Sequence, residues 1–204
     1  VNNTATHHFS MGDCHATGGD IILVTGKNGC GKSLWLQRMA GLEPFPAGIA
    51  ADIDGTPLQS WPVRMLFDQW PAMWLGQSVH DEMTFGLGRQ PEPAEIMKTL
   101  ADWGLQEGIT ARTPPSTLNR LQSVRLILAS MNMAGPVLAL LDNPTDNLSH
   151  DDAADLISDI AGWARKSKTI VVVACNRWQD WQVEATQQWH IHCSDELPQL
   201  RGHA

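Results

Sequence analysis

The stretch "DIILVTGKNGCGKSLWLQRMAGLEP", Asp20 to Pro44, carries three signals in the order that a phosphate-binding loop requires. Ile21 to Thr25 is a continuous β-rich apolar run, the pattern of a strand buried on both faces. Gly26 to Ser33 then fits G-x-x-x-x-G-K-[ST], and Ser33 to Ala40 reads as a helix closed by Gly41 and Pro44. Glycines let the backbone wrap an anion without Cβ clashes. The N–H groups of Gly26, Asn28, Gly29, Cys30, Gly31 and Lys32, with the helix start at Ser33 and Leu34, are therefore expected to converge on phosphate oxygens. Lys32 would neutralise the β- and γ-phosphates, and the Ser33 hydroxyl would ligate Mg²⁺. A merely glycine-rich turn has no need of the Lys-Ser pair. Nucleotide binding, with Mg²⁺ beside the phosphates, is the strongest single inference from the chain.

Outward from this loop, further apolar runs at Val63 to Phe67, Val137 to Leu141 and Thr169 to Ala174 alternate with helical segments. The helices are expected at Ala94 to Trp103, at Thr117 to Met133 with Ser116 or Thr117 as cap, and at Asp151 to Arg165 with "HDDAAD" as an acidic first turn. Nearly continuous apolar strands alternating with helices predict an α/β fold with a mainly parallel sheet flanked by helices. The Asp-Gly of "GIAADIDGTPL" predicts an antiparallel β element beside it. Asp142 ends the third of these strands and supplies a second metal-holding group, a carboxylate that meets Mg²⁺ directly or through water.

Bulk properties bound the rest. The 204 residues suffice for one domain with a substantial core, and a net charge of -8 with only 14 Lys and Arg argues against a nucleic-acid surface. The four cysteines, Cys14, Cys30, Cys175 and Cys193, show no C-x-x-C spacing, so reduced thiols in a cytosolic compartment are expected. No apolar run approaches the roughly 18 residues that span a bilayer. The start, "VNNTATHHFSM", shows no secretory pattern and no initiator Met, which reads as a trimmed beginning, and His7 and His8 read as part of a mobile segment. His190 and His192 in "WHIHC" share one face of a strand without a third ligand, and read as solvated or edge-strand residues.

With these motifs in hand, the chain resembles the ATP-binding cassette (ABC) ATPases, the nucleotide-binding subunits of ABC transporters, from about Phe9 to Cys193. "GIAADIDGTPL" is similar to the family's hairpin, "FDQWPAMWLGQSVHDEMTFGL" to the segment after its Q-loop, "AEIMKTLADWGL" to its helical subdomain and "VLALLDNPTDNLS" to its Walker B and D-loop. Within the family, "SVHDEMTFGL" looks most like energy-coupling and metal-importer cassettes. The resemblance implies a P-loop NTPase fold of ABC type, one nucleotide-binding domain over 1–204 with a helical subdomain at roughly 70–134.

Position by position, the resemblance also implies losses. The Walker B glutamate falls on Asn143, and an amide cannot take a proton from water. The H-loop histidine falls on Cys175, a weak donor. The Q-loop glutamine falls on Asp68, which either approaches Mg²⁺ or cedes its place to Gln69, and the D-loop aspartate falls on Ser149. The signature L-S-G-G-Q reads "LNRLQ", Leu118 to Gln122: Asn119 could imitate the serine, while Arg120 and Leu121 bring bulk to a place of close backbone approach, or Arg120 supplies charge. Phe9 is the one aromatic available before the loop to stack on adenine, and Trp70 and Trp74 fall either on a partner groove or on packing.

The expected function is an ATP-binding subunit with slow or absent hydrolysis. It would pair with another ABC-type subunit and an integral membrane subunit, and lie in the cytoplasm or peripherally on the inner face of the cell membrane. The alternative is a non-transport, degenerate ABC protein using ATP as a structural or regulatory ligand.

Overall fold

The computed structural model describes residues 5–106, 108–193 and 199–203. In chain order the elements are β1 (His8–Met11), β2 (Cys14–Thr17), β3 (Ile21–Thr25), α1 (Lys32–Met39), β4 (Asp52–Ile53), β5 (Thr56–Pro57), β6 (Val63–Leu66), α2 (Val79–Thr84), α3 (Pro93–Asp102), α4 (Arg120–Ala134), β7 (Leu138–Asp142), α5 (His150–Ser167), β8 (Ile170–Ala174), β9 (Gln187–His192) and β10 (Gln199–His203). They build a six-stranded sheet in the order β10-β9-β3-β8-β7-β6 and a four-stranded sheet in the order β2-β1-β4-β5. From β9 to β6 every neighbouring pair is parallel, and β10 closes the other edge antiparallel to β9. This is the α/β architecture expected, and no helix among the described residues is long and apolar enough to cross a membrane.

Every residue of β3, β7 and β8 is buried, because helices or a second sheet cover both faces. Alternate side chains feed two cores: Ala139 and Leu141 join α2 to α5 on one side, whereas Leu138 and Leu140 join α1 and the smaller sheet on the other. The register sets Leu66 opposite Leu141 and Ala174 opposite both Asp142 and Val24. The loops after β3, β6, β7 and β8 therefore leave the sheet side by side, at the carboxyl ends where parallel sheets bind ligands.

Asp54 and Gly55, at φ 52 and 74, make the two-residue left-handed turn predicted between β4 and β5. Four expectations need correction. The helix expected from Thr117 starts at Arg120: Asn119 and Gln122 form a reciprocal capping box, and residues 115–117 are a separate 3-10 turn. His7 and His8 are not a mobile start. His7 is buried with Nδ1 2.6 Å from Asp54 Oδ2, and His8 opens β1, while residues 1–4 lie outside the described range. Of the two readings of His190 and His192, the edge strand falls, since β10 pairs beyond β9, whereas the solvated one stands, with His190 half-buried and His192 exposed. Phe9 does not face a ligand. It is 1% exposed and stacked on Trp189 in the second core, so β1 gives it to packing.

Candidate functional site

Between β3 and α1 the backbone turns on glycines with positive φ: Gly26 at 151, Gly29 at 76 and Gly31 at 93. A methyl added at Gly26 would lie 2.6 Å from Cys30 Sγ, so the loop closes this tightly only without a Cβ there. Gly31 takes the capping position of α1 and has no side chain to cap it, and the first turn of the helix holds no acidic residue. Such a helix start favours an anion at its N-terminus. Lys32 is 9% exposed and its Nζ donates to carbonyls of its own loop, Gly26 O at 3.3 Å and Lys27 O at 3.5 Å. A buried ammonium held on loop carbonyls, beside a helix start with no acidic residue, is a donor set suited to a polyphosphate. Asn28 and Gly29 are exposed on the loop, Cys30 is buried, and Ser33 and Leu34 are half-buried in α1.

Asp142 ends β7 beside this loop. Burial pushes its carboxyl up and nearby Asp68 adds to that, while a hydrogen bond from Ser33 and the Lys32 ammonium oppose it. Ser33, Asp142 and Asp68 thus gather hard oxygens next to the loop, a set that fits Mg²⁺. Asn143 follows at φ 48, 8% exposed, with its N–H donating to Ala174 O at 2.7 Å. Its side chain is committed at both ends: Nδ2 donates to Asp68 Oδ2 at 2.8 Å, and Oδ1 accepts from the Asn176 N–H at 3.0 Å. Cys175, after β8, is 4% exposed, and burial followed by Asp180 pushes its thiol up to about 12. It is a neutral thiol at physiological pH. Gln69 is exposed beyond Asp68, so the carboxylate rather than the amide faces Asn143.

The structure therefore brings Gly26 to Leu34, Asp68, Asp142, Asn143 and Cys175 to one end of the sheet. The other motif positions lie apart from these contacts. Asn119 caps α4, accepting from Gln122 N at 2.9 Å; Arg120 lies over the Trp70 ring at 5.3 Å; Leu121 packs on the first core; Ser149 caps α5, accepting from Asp152 N at 3.1 Å. Trp70 is half exposed, and Trp74 packs on the first core. Neither of two surface cavities of about 700 and 790 Å³ includes a phosphate-loop residue. Sequence reasoning missed the Asn176 N–H and the Asp68–Asn143 bond. Their only signal is that each residue follows a strand end, which becomes a contact once β6 and β7 are known to be neighbours.

A family model described as "ABC transporter" matches residues 13–146. The chain is 29% identical over 165 residues to the energy-coupling factor transporter ATP-binding protein EcfA1 of Levilactobacillus brevis, covering 76% of this chain and 59% of that protein. It is 35% identical over 161 residues to the aliphatic sulfonates import ATP-binding protein SsuB 2 of Agrobacterium fabrum, with the same coverage of 76% and 59%. The chain thus spans about 59% of the length of these curated relatives. Among solved structures, cbiO1 from Clostridium perfringens, part of the ABC transporter complex cbiONQ, superimposes with a TM-score of 0.75 at 18% identity, over 87% of this chain and 75% of that one.

Proposed function

Given that this chain belongs to the ABC transporter family, whose model matches residues 13–146 of 204, we infer that it is an ATP-binding subunit that holds Mg-ATP and turns it over slowly or not at all. Gly26 to Leu34 would bind the triphosphate through N–H groups and the Lys32 ammonium, with Ser33 and Asp142 on the metal and Asp68 beside them. Mg²⁺, when bound, would screen the phosphate charge. The observation that carries the slow-turnover reading is the Asn143 amide, donating to Asp68 and accepting from Asn176 at the place next to Asp142. Such a group holds its neighbours in position and cannot take a proton. Loss of a general base costs about 10²- to 10⁴-fold in rate, and a neutral thiol at Cys175 adds no charge to a phosphate. Ground-state binding depends on other groups and is retained.

The chain is read as a single nucleotide-binding domain over 1–204, with a helical subdomain at roughly 70–134. It pairs with another ABC-type subunit, as a homo- or heterodimer, and docks on an integral membrane subunit from the cytoplasmic face. EcfA1 and SsuB 2 are named for transporters, which supports a transport role. The test is calorimetric titration of the purified chain with Mg-ATP alongside phosphate release. Binding is expected with turnover below about 0.1 per second, a hundredfold under an ordinary enzyme. Turnover of ordinary size by the isolated chain overturns the reading.

A further inference from the structure

Cys30, inside the phosphate loop, and Cys193, the residue after β9, are in side-chain hydrogen-bond contact. The sheet brings them together. β3 and β9 run parallel with Thr25 opposite His190, so the loop after β3 passes over the end of β9. A methyl at Gly26 would meet Cys30 Sγ at 2.6 Å and Ile191 O at 3.2 Å, which places the Cys30 sulfur against that strand end. Cys193 comes two residues after Ile191, which shares the second core with Cys30. The two thiols differ in access: Cys30 is 5% exposed, whereas Cys193 is open to water.

We propose that Cys30 and Cys193 are a redox modification site, forming a reversible disulfide by exchange with a low-molecular-weight disulfide, and that the bridge weakens nucleotide binding. The bridge chemistry stands on the sulfur contact alone; its effect on ATP rests on the phosphate-loop reading above. In the first step the exposed Cys193 thiolate attacks one sulfur of the small disulfide, making a mixed disulfide and expelling one small thiolate. Cys30 then attacks the Cys193 sulfur, the protein disulfide forms and the second small thiolate leaves. Two protein thiols are oxidised, one small disulfide is reduced to two thiols, and the two protons pass to the departing thiolates. Burial holds the Cys30 thiol above its ordinary range and Lys32 opposes this, so little of it is thiolate and the second attack is the slower step, carried by the closeness of the two sulfurs rather than by acidity. A disulfide is only about 2.05 Å long, so closing hydrogen-bonded sulfurs onto it shifts the loop or the strand end by about 1 Å or more. Cys30 Sγ already lies tight on Gly26, so the shift passes into the backbone whose N–H groups must converge on phosphate. Transient bridges of this kind are the sort that reducing compartments use for sensing.

The test treats the full reduced chain with oxidised glutathione, removes the excess, maps disulfides by mass spectrometry of a digest, and titrates Mg-ATP before, after, and again after dithiothreitol. The expected result is a Cys30–Cys193 peptide, Mg-ATP affinity lower by about tenfold or more, and full recovery on reduction. Cys14 and Cys175, both buried with thiols pushed up to about 12, should stay reduced and serve as internal controls. Cys193→Ser should bind Mg-ATP as the reduced chain does and lose the response. Glutathione left on Cys193 without a bridge, a bridge with unchanged affinity, or an equal response from Cys193→Ser each overturns the proposal. If the reduced chain binds no Mg-ATP, the nucleotide reading and the proposed effect on affinity both fall, while the bridge is still judged by mass alone.

Discussion

Asn143 lies in the left-handed region at φ 48, which asparagine tolerates better than glutamate does, and its amide joins the loops after β6 and β8. A carboxylate placed there alone would stand against Asp68, and two such charges in contact force one to stay protonated. Asn143→Glu is therefore expected to raise ATP turnover by less than about tenfold, whereas Asp68→Gln with Asn143→Glu, which restores one donor and one acid, should raise it by about 100-fold or more. Phosphate release by the two variants, compared in a double-mutant cycle with Asp68→Gln alone, checks this; equal rates for both would break the argument. The glycines, Lys32, Ser33 and Asp142 of the candidate site were legible in the sequence, because phosphate wrapping and metal holding each need a particular residue type at a particular spacing. The Asp68–Asn143 bond was not, because 75 residues separate its partners and only the strand order joins them.

At the scale of elements, caps decide where helices begin. α4 was expected a full turn too early, since Ser116 and Thr117 are good capping residues in their own right; the reciprocal bonds of Asn119 and Gln122 win, and the prolines at 114 and 115 hold the preceding turn apart. Asn119→Ala should cost about 1 kcal/mol of stability, read as a shifted denaturant midpoint with an unchanged slope, and Asn119→Ser should recover most of it. The β4–β5 turn carries a pH signature. Hydrogen bonds from His7 and from the His8 N–H hold the Asp54 carboxyl below its ordinary range. A depressed folded value means that the contribution is present above the unfolded carboxylate range and is lost as pH falls through the folded value. The stability difference between the native chain and Asp54→Asn should thus be seen near pH 6 and vanish toward pH 2; a difference that persists into acid would mean that the charge plays no part. The buried central strands were legible because both faces are apolar, but β1, β2 and β10 were not. Short strands such as "CHAT" alternate too briefly to stand out from loops.

For the molecule as a whole, the sheet separates two cores and the candidate site sits where four strand ends emerge together. A ligand held there touches loops fed by β3, β6 and β7, so binding should raise the stability of the entire cooperative unit. At a hundredfold excess over its dissociation constant, Mg-ATP would add about 2.7 kcal/mol, a rise in Tm of roughly 5–10 °C for a chain of this size. Lys32→Ala should fold and show no such rise in a thermal melt; an equal rise in that variant would move the ligand elsewhere. The tryptophans give this molecule a built-in optical probe. Trp35, Trp181 and Trp189 are sealed from solvent, whereas Trp70 is 52% exposed beneath the Arg120 guanidinium. An aqueous quencher such as iodide would reach the Trp70 emission and spare those three, so anything that settles over that indole announces itself as fluorescence that can no longer be extinguished.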